Sequence, residues 1–505
     1  MDLFVNIYQT LARALNGSPN ETFWAGTSYL LTSSTFQPVL SALSEVVGRK
    51  EILLISILLF TIGSLIACVA KNFPILLAGR TIQGIGGGGI ITLNLVIMTD
   101  IIPLRQRPKY NGMSQIAWAF GTIAGPLIGG AIAQKASWRL LFYINFPFCA
   151  IGLVAVPFVV RIELKQRLLL KDILNRIDWI GSALFLGSTT SFLIGITGAS
   201  NTFPWNSYQT LTPLVLGVAG IFATGLWELR YANIPFIRRS MLKSRPLMTA
   251  YFCTVLQGLL LYAHLYYIAL FLLSVKSRTP ILTGVAILPV SCGLAPSAAL
   301  VGVVISRLGT WKWAVLLGWI INSLAAGLLI LLDQNTSPAA WIFFFLFLGV
   351  GQGLLLSAHN FAVQAIAGVK DAANATALFA FMRGVGLCLG VAIGGMVFQN
   401  ELQRSLDANG IPIRIANDPG AFLYIFELLT LPIRSPIRKL VISAFLESFR
   451  FLFQVLTGIS CAGFLLSLTI NGNYSLDKAL QSGHKLHEKT KKDAEETVGR
   501  VSTYR

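Results

Sequence analysis

Thirteen long apolar runs, divided by short polar joints, constrain this chain more than any other feature of its sequence. A helix of about 20 residues spans the hydrocarbon of a bilayer, and inside lipid the backbone must satisfy its own hydrogen bonds. The runs therefore predict spanning helices at 22–40, 51–70, 73–98, 112–134, 139–160, 177–198, 211–229, 247–274, 281–305, 313–332, 339–358, 374–398 and 447–470. The expected fold class is an all-α polytopic membrane protein. Composition agrees: 12% of residues are charged and 54% hydrophobic, whereas a soluble surface needs about a quarter charged. Residues 1–15 are apolar only in part, interrupted by Asp2, Asn6, Gln9 and Arg13. They are expected to be the back part of a first helix whose front part is absent, and no cleavable signal peptide is visible.

The net charge of +18 suggests a nucleic-acid partner at first sight, but the basic residues fall in short clusters between apolar runs. Retention of positive loops on one membrane face explains that pattern, and no nucleic-acid partner is expected. Arg49 and Lys50, Arg105, Arg107 and Lys109, Arg161 to Arg176, Arg230 to Arg245, Arg307 and Lys312, and the tail after Ser475 share one face if the helices alternate. That face is read as cytoplasmic. The sequons at Asn16, Asn20 and Asn335 then lie outside as glycosylation candidates, and Asn473 lies inside, unmodified. Asn400 to Leu446, with four prolines, is expected to be an irregular outer loop. The six cysteines lie in apolar runs without CxxC spacing, so neither a disulfide framework nor a metal site is expected.

An internal repeat adds topology. Ser41 to Lys50 reads as a short charged turn, with Gly48 permitting the bend, Glu45 capping or pairing, and Arg49 and Lys50 in water beside lipid headgroups. Gly302 to Gly309, followed by Lys312, repeats its spacing. Gln83-Gly84 recurs as Gln352-Gly353. Gly121, Gly125, Gly129 and Gly130 recur as Gly386, Gly390, Gly394 and Gly395 at the same intervals. Glycines four apart share one helix face and let a neighbouring backbone approach. Parallel repeats of this kind build many secondary transporters. The expected domains are an N-terminal bundle over 1–160, two inserted helices over 161–245, a C-terminal bundle over 246–475 and a basic cytoplasmic tail over 476–505.

These residues resemble the major facilitator superfamily across nearly the whole chain. Leu43, Gly48, Arg49 and Lys50 meet the signature of the loop after its second helix, with Ser41 and Glu45 in place of a glycine and an aspartate. Leu77 to Gly84, containing Arg80 and Gln83, is similar to its arginine motif. Gly121, Gly125, Pro126, Gly129 and Gly130 are similar to its exporter motif. Fourteen helices with two inserted between the halves, together with Ser137 to Pro147, resemble the fourteen-spanner drug:H⁺ antiporter branch in its fungal form. Pro108 departs from the family by standing where a glycine is usual, and Tyr8-Gln9-Thr10 departs from the pattern of its first helix.

The resemblance implies two pseudo-symmetric six-helix bundles, no cofactor, no enzymatic activity, and proton-coupled efflux of a small apolar compound such as a fungal metabolite, toxin or drug. The partners implied are the small-molecule substrate, protons and the lipid bilayer, with the protein a monomer in the plasma or vacuolar membrane. A vacuolar basic amino-acid or siderophore carrier and a non-transporting sensor or inactive remnant are the alternatives. Arg80, deep in an apolar run, must face a cavity or a partner. A guanidinium does not release its proton at useful pH, so the resemblance points to Asp2 as the titrating group. Gln83 accompanies Arg80, and Arg383 is expected to line the cavity. Glu45, Gly48, Arg49, Lys50, Asp100, Arg105 and Arg107 gather at one end as a candidate gate. The Gly86 to Gly89 run lacks the Lys and Ser/Thr of a phosphate loop and reads as close packing.

Overall fold

A computed structural model describes residues 15, 19–160, 176–201, 205, 207–232, 241, 244–368, 371–409 and 435–470. The helices, in chain order, are α1 (Pro19–Thr35), α2 (Gln37–Val46), α3 (Arg49–Cys68), α4 (Phe73–Ile101), α5 (Arg107–Lys135), α6 (Leu140–Tyr143), α7 (Asn145–Val159), α8 (Trp179–Asn201) and α9 (Tyr208–Arg230). There follow α10 (Arg245–Ser274), α11 (Pro280–Leu308), α12 (Lys312–Leu329), α13 (Pro338–Ala367), α14 (Ala372–Ala408) and α15 (Pro436–Leu468). Among the described residues, 11 helical segments are long and apolar enough to cross a membrane, α6 and α7 counting as one.

Local chemistry sets the starts. Asn72, Ser207, Thr279 and Ser337 each accept a hydrogen bond from a backbone amide three residues on, relieving an orphan donor of the first turn. Proline stands in the first turn of α2, α4, α5, α10, α11, α13 and α15, where its missing N–H is harmless. The family departure at Pro108 is thus a helix start. Pro38 has a second effect: the predicted span 22–40 is divided at Phe36 into α1 and α2.

Three expectations are corrected. Ser41 to Val46 is helix rather than turn, and the reversal is confined to Val47 and Gly48, whose φ of 131° suits glycine. Gly302 to Leu308 likewise completes α11, and the bend falls at Gly309 (φ 71°). The outer loop is much shorter than Asn400–Leu446, because α14 runs to Ala408 and α15 starts at Pro436. Mixed composition hid these ends: Arg404 and Arg438 stand on helix ends in water, where charge is no obstacle. Residues 410–434, with the middle of that loop, lie outside the described residues, as do Asp2, Asn16 and the basic tail.

The core sits mainly in the second half, where Tyr267, Phe271, Phe398, Phe445, Phe449 and Phe453 interlock, with Phe398 and Phe449 centroids 4.7 Å apart. The most apolar window of α10 is 72% buried, that of α9 only 17%. The α8/α9 hairpin therefore rests on the periphery and turns residues such as Phe222 outward, as a lipid-facing helix should. The α14 glycines explain how α10 is enclosed: methyl groups on Gly386 or Gly390 would strike the α10 backbone at Val255 and Leu259, and one on Gly394 the ring of Tyr267. Gly86, Gly88 and Gly89 similarly seat α4 between α1 and α3, against Ser56, Phe60 and Ser33.

Candidate functional site

Two polar centres lie in the first half. In the first, Arg80 is 4% exposed on α4. Its Nε donates to the Ala25 carbonyl at 2.9 Å and its Nη1 to Gln83 Oε1 at 2.6 Å, and its guanidinium lies 4.5 Å from the Tyr29 ring centroid. Gln83 passes the network on, donating from Nε2 to Ser64 Oγ at 2.8 Å. A guanidinium in this setting needs its donors met by carbonyls and a ring face. Arg80 and Gln83 are thus brought together as expected, tying α4 to α1 and α3.

The second centre is at the basic-loop end. Arg49 is 3% exposed. Its Nε donates to Asp100 Oδ2 at 2.9 Å, Nη1 reaches the Ser41 carbonyl at 3.1 Å, and Nη2 lies 3.7 Å from Glu45. Lys50 is half-buried, donating to the Pro157 carbonyl at 3.0 Å. The expectation that Arg49 and Lys50 lie in water is therefore wrong: a carboxylate from α4 makes burial of Arg49 tolerable, since a buried charge persists only when paired and hydrogen-bonded. The α4–α5 joint continues the cluster. Arg107 donates to the carbonyls of Thr99 and Ile102 at 2.7 and 2.8 Å, and across to Gln364 Oε1 on α13 at 3.0 Å. Gln364 in turn donates to Asn360 at 2.9 Å. Ser306 on α11 donates to the Arg105 carbonyl at 2.8 Å. Close backbone approach completes this seam, Gly302 lying against Pro108 and Gly112 against Ala299.

The second half carries a centre that sequence reasoning missed. Gln257 on α10 donates to Gln352 on α13 at 2.9 Å, Gln352 to Asn322 on α12 at 2.9 Å, and Asn322 to Ser460 on α15 at 2.8 Å. Amides inside apolar runs were the available signal. Gln352 stands to Asn322 of the preceding helix as Gln83 stands to Ser64, so the matched Gln-Gly pairs share a geometry as well as a spacing.

The remaining candidates divide. Gly121 on α5 is exposed with open space beside it, whereas Gly125 and Gly129 are buried. Pro126 and Gly130 lie on the same helix, and nothing further is described of them. Arg383 is half-buried on α14, its guanidinium 5.4 Å from the centroid of Trp118 on α5. Asn20 falls in the first turn of α1 with the third residue of its sequon, Thr22, buried, while Asn335 is exposed in the α12–α13 turn. Arg139, within the stretch from Ser137 to Pro147, holds the end of α3 by donating to the Cys68 and Ala70 carbonyls, both at 3.0 Å.

The comparisons with known proteins agree with this architecture. The family model for the Major Facilitator Superfamily matches residues 1–391. The chain is 47% identical over 397 residues to "MFS transporter L2" of a Phoma species, covering 79% of this chain and 66% of that protein, just under two thirds of the relative's length. It is 34% identical over 480 residues to "MFS-type transporter ucsD" of an Acremonium species (94% and 81% covered). It is 30% identical over 479 residues to "Efflux pump FUS6" of Gibberella moniliformis (92% and 84% covered). Among solved structures it superposes on the human organic anion transporter MFSD10 with a TM-score of 0.56 at 14% identity, covering 91% of this chain and 88% of that one. On the proton:xylose symporter XylE the TM-score is 0.55 at 13% identity, with 93% and 92% covered. At such identities these two show the fold alone. The chain is a multi-pass membrane protein and belongs to the Major Facilitator Superfamily.

Proposed function

We propose that the protein is a proton-coupled efflux transporter for small, largely apolar organic compounds. It acts as a monomer in the plasma membrane and works by alternating access. Residues 1–160 and 246–475 are the moving halves, 161–245 the inserted pair and its linkers, and 476–505 a cytoplasmic tail. The observation that carries this reading is the seam at the basic-loop end. There the halves meet through the packing of α5 on α11 and a few breakable polar contacts, Arg107 to Gln364 and Ser306 to Arg105, while each half keeps its own buried network intact. Rigid units joined by a dissolvable contact are what rocking requires. The export direction is supported by the names of the fungal relatives and by the glycine pattern of α5. Arg80 is the coupling residue in this scheme, biasing the first half through Ala25 and Tyr29.

The test is dye extrusion from intact cells expressing the full chain. Export that collapses on adding a protonophore, and that Arg80→Ala abolishes at near-normal surface expression, supports the proposal. Dye accumulation unchanged by expression, or export indifferent to the protonophore, overturns it.

A further inference from the structure

We propose that Arg383 and Trp118 form an acid-recognition site at the middle of the membrane, and that the exported compounds carry a carboxylate or similar acidic group beside a flat unsaturated body. This rests on the efflux reading and narrows its substrate class.

The position comes first. Arg383 stands eleven residues into α14 and Trp118 eleven residues into α5, both helices starting from the basic-loop face. At 1.5 Å per residue each is about 17 Å along its helix, near the centre of a hydrocarbon layer of about 30 Å. The backbone at Arg383 is fixed: its carbonyl faces Gly258 of α10, where an added methyl would lie 2.5 Å away, and neighbouring Gly384 abuts Ser34 of α1. The side chain reaches out of this anchored stretch to the other half of the molecule, over the Trp118 ring.

The chemistry comes second. Arg383 Nε and Nη2 are shielded from solvent yet have no hydrogen-bond partner, and Arg383 forms no ion pair among the described residues. The contrast with Arg80, Arg49 and Arg107, whose donors meet carbonyls, an amide or carboxylates, is direct. Nε and Nη2 form one edge of the guanidinium, the edge that presents two parallel N–H groups to the two oxygens of a carboxylate. A cation in this setting is costly unless an anion or acceptor meets it. Both Arg383 and Trp118 keep part of their surface accessible, Trp118 45% of it, so the pair is not sealed core, and in this proposal the side chain turns to bring its shielded Nε–Nη2 edge to the ligand. A bound acid pairs with the free edge while its unsaturated body lies along the indole, held by dispersion and ring stacking. Because the two residues belong to opposite halves, such a ligand bridges the elements that move apart during transport.

The experiment measures equilibrium binding of pyrenebutyrate and of its uncharged methyl ester to the purified full chain by fluorescence. The acid is expected to bind at least about tenfold more tightly than the ester. Arg383→Gln should erase that preference by weakening acid binding alone, Arg383→Lys should keep part of it, and Trp118→Ala should weaken both ligands alike. Equal affinities, no binding of the acid, or a preference that survives in monodisperse Arg383→Gln overturns the site. If Arg383→Gln does not fold, an acid-to-ester ratio unchanged in Arg383→Lys overturns it equally. Failure here is distinguishable from failure of the efflux reading. Cells that export both ligands equally well contradict this site and leave efflux standing, whereas an acid preference in vitro with no export from cells contradicts efflux alone.

Discussion

The two halves build comparable helices from matching sequence marks and then stabilise them by different means. On α14 the glycines at 386, 390 and 394 receive α10, and the polar centre beside that contact is a chain of neutral amides from Gln257 to Ser460. On α5 the glycine spacing is the same, but Gly121 faces open space, and α5 packs chiefly on α11 of the other half through Gly112 and Gly302. The polar centres of the first half are built on arginines. Arg383 apart, one half is thus a densely packed block with a neutral polar centre. The other concentrates charge where the halves meet, so identical glycine spacing makes a packing surface available and its partner decides the use.

Breaking the charged side should have the largest effect. Arg49→Ala takes from buried Asp100 the guanidinium that donates to it at 2.9 Å, and removing one member of such a pair costs about 3–5 kcal/mol. Thermal unfolding in detergent should fall steeply, and Asp100→Asn should fall less because the amide still accepts from Arg49. Next comes the glycine contrast. Gly390→Leu forces a side chain into the α10 backbone and should destabilise by at least about 1–3 kcal/mol, whereas Gly121→Leu, with open space beside it, should leave unfolding within about 0.5 kcal/mol of the parent. Equal effects at the two positions would end the comparison. The amide chain sharpens it further: Gln352→Leu loses both its bonds and should lower stability by about 1–2 kcal/mol. Adding Asn322→Leu should then do less harm than it does alone, because the partners are already lost. The smallest effect on unfolding belongs to Gln364→Ala: its bond to Arg107, about 1.5–3 kcal/mol, holds one half to the other, so its loss is read as faster cysteine crosslinking or labelling at the seam, with a smaller fall in thermal unfolding than the variants above.

The helices were legible because apolar length in a membrane is nearly a direct statement of fold. Their ends were less so, because water-exposed helical turns such as those around Arg404 and Arg438 carry the composition of a loop. Arg80 and Gln83 were legible as a site because a cation in an apolar run demands an explanation. Arg49 and Asp100 were expected at the same end, but the burial of Arg49 was misread, because no local pattern reports that two residues so far apart in the chain pair directly and leave water. Gln257, Asn322 and Ser460 went unread for the related reason that each alone is an ordinary polar residue, and only packing shows that they form one chain. Trp118 carried no signal at all, since an aromatic residue in a spanning helix fits a lipid-facing position as well as a cavity.

The bond between Arg107 and Gln364 has a kinetic consequence. Its acceptor is an amide, so separating the two strips no carboxylate of its counter-charge, and a hydrogen bond to a charged group contributes only about 1.5–3 kcal/mol. In the proposed rocking scheme, a fastener of that strength would hold the closed form most of the time and still let it open by thermal fluctuation, without a committed energy input on each cycle. Replacing Gln364 with glutamate would turn the fastener into a lock, and turnover should slow as the closed form deepens.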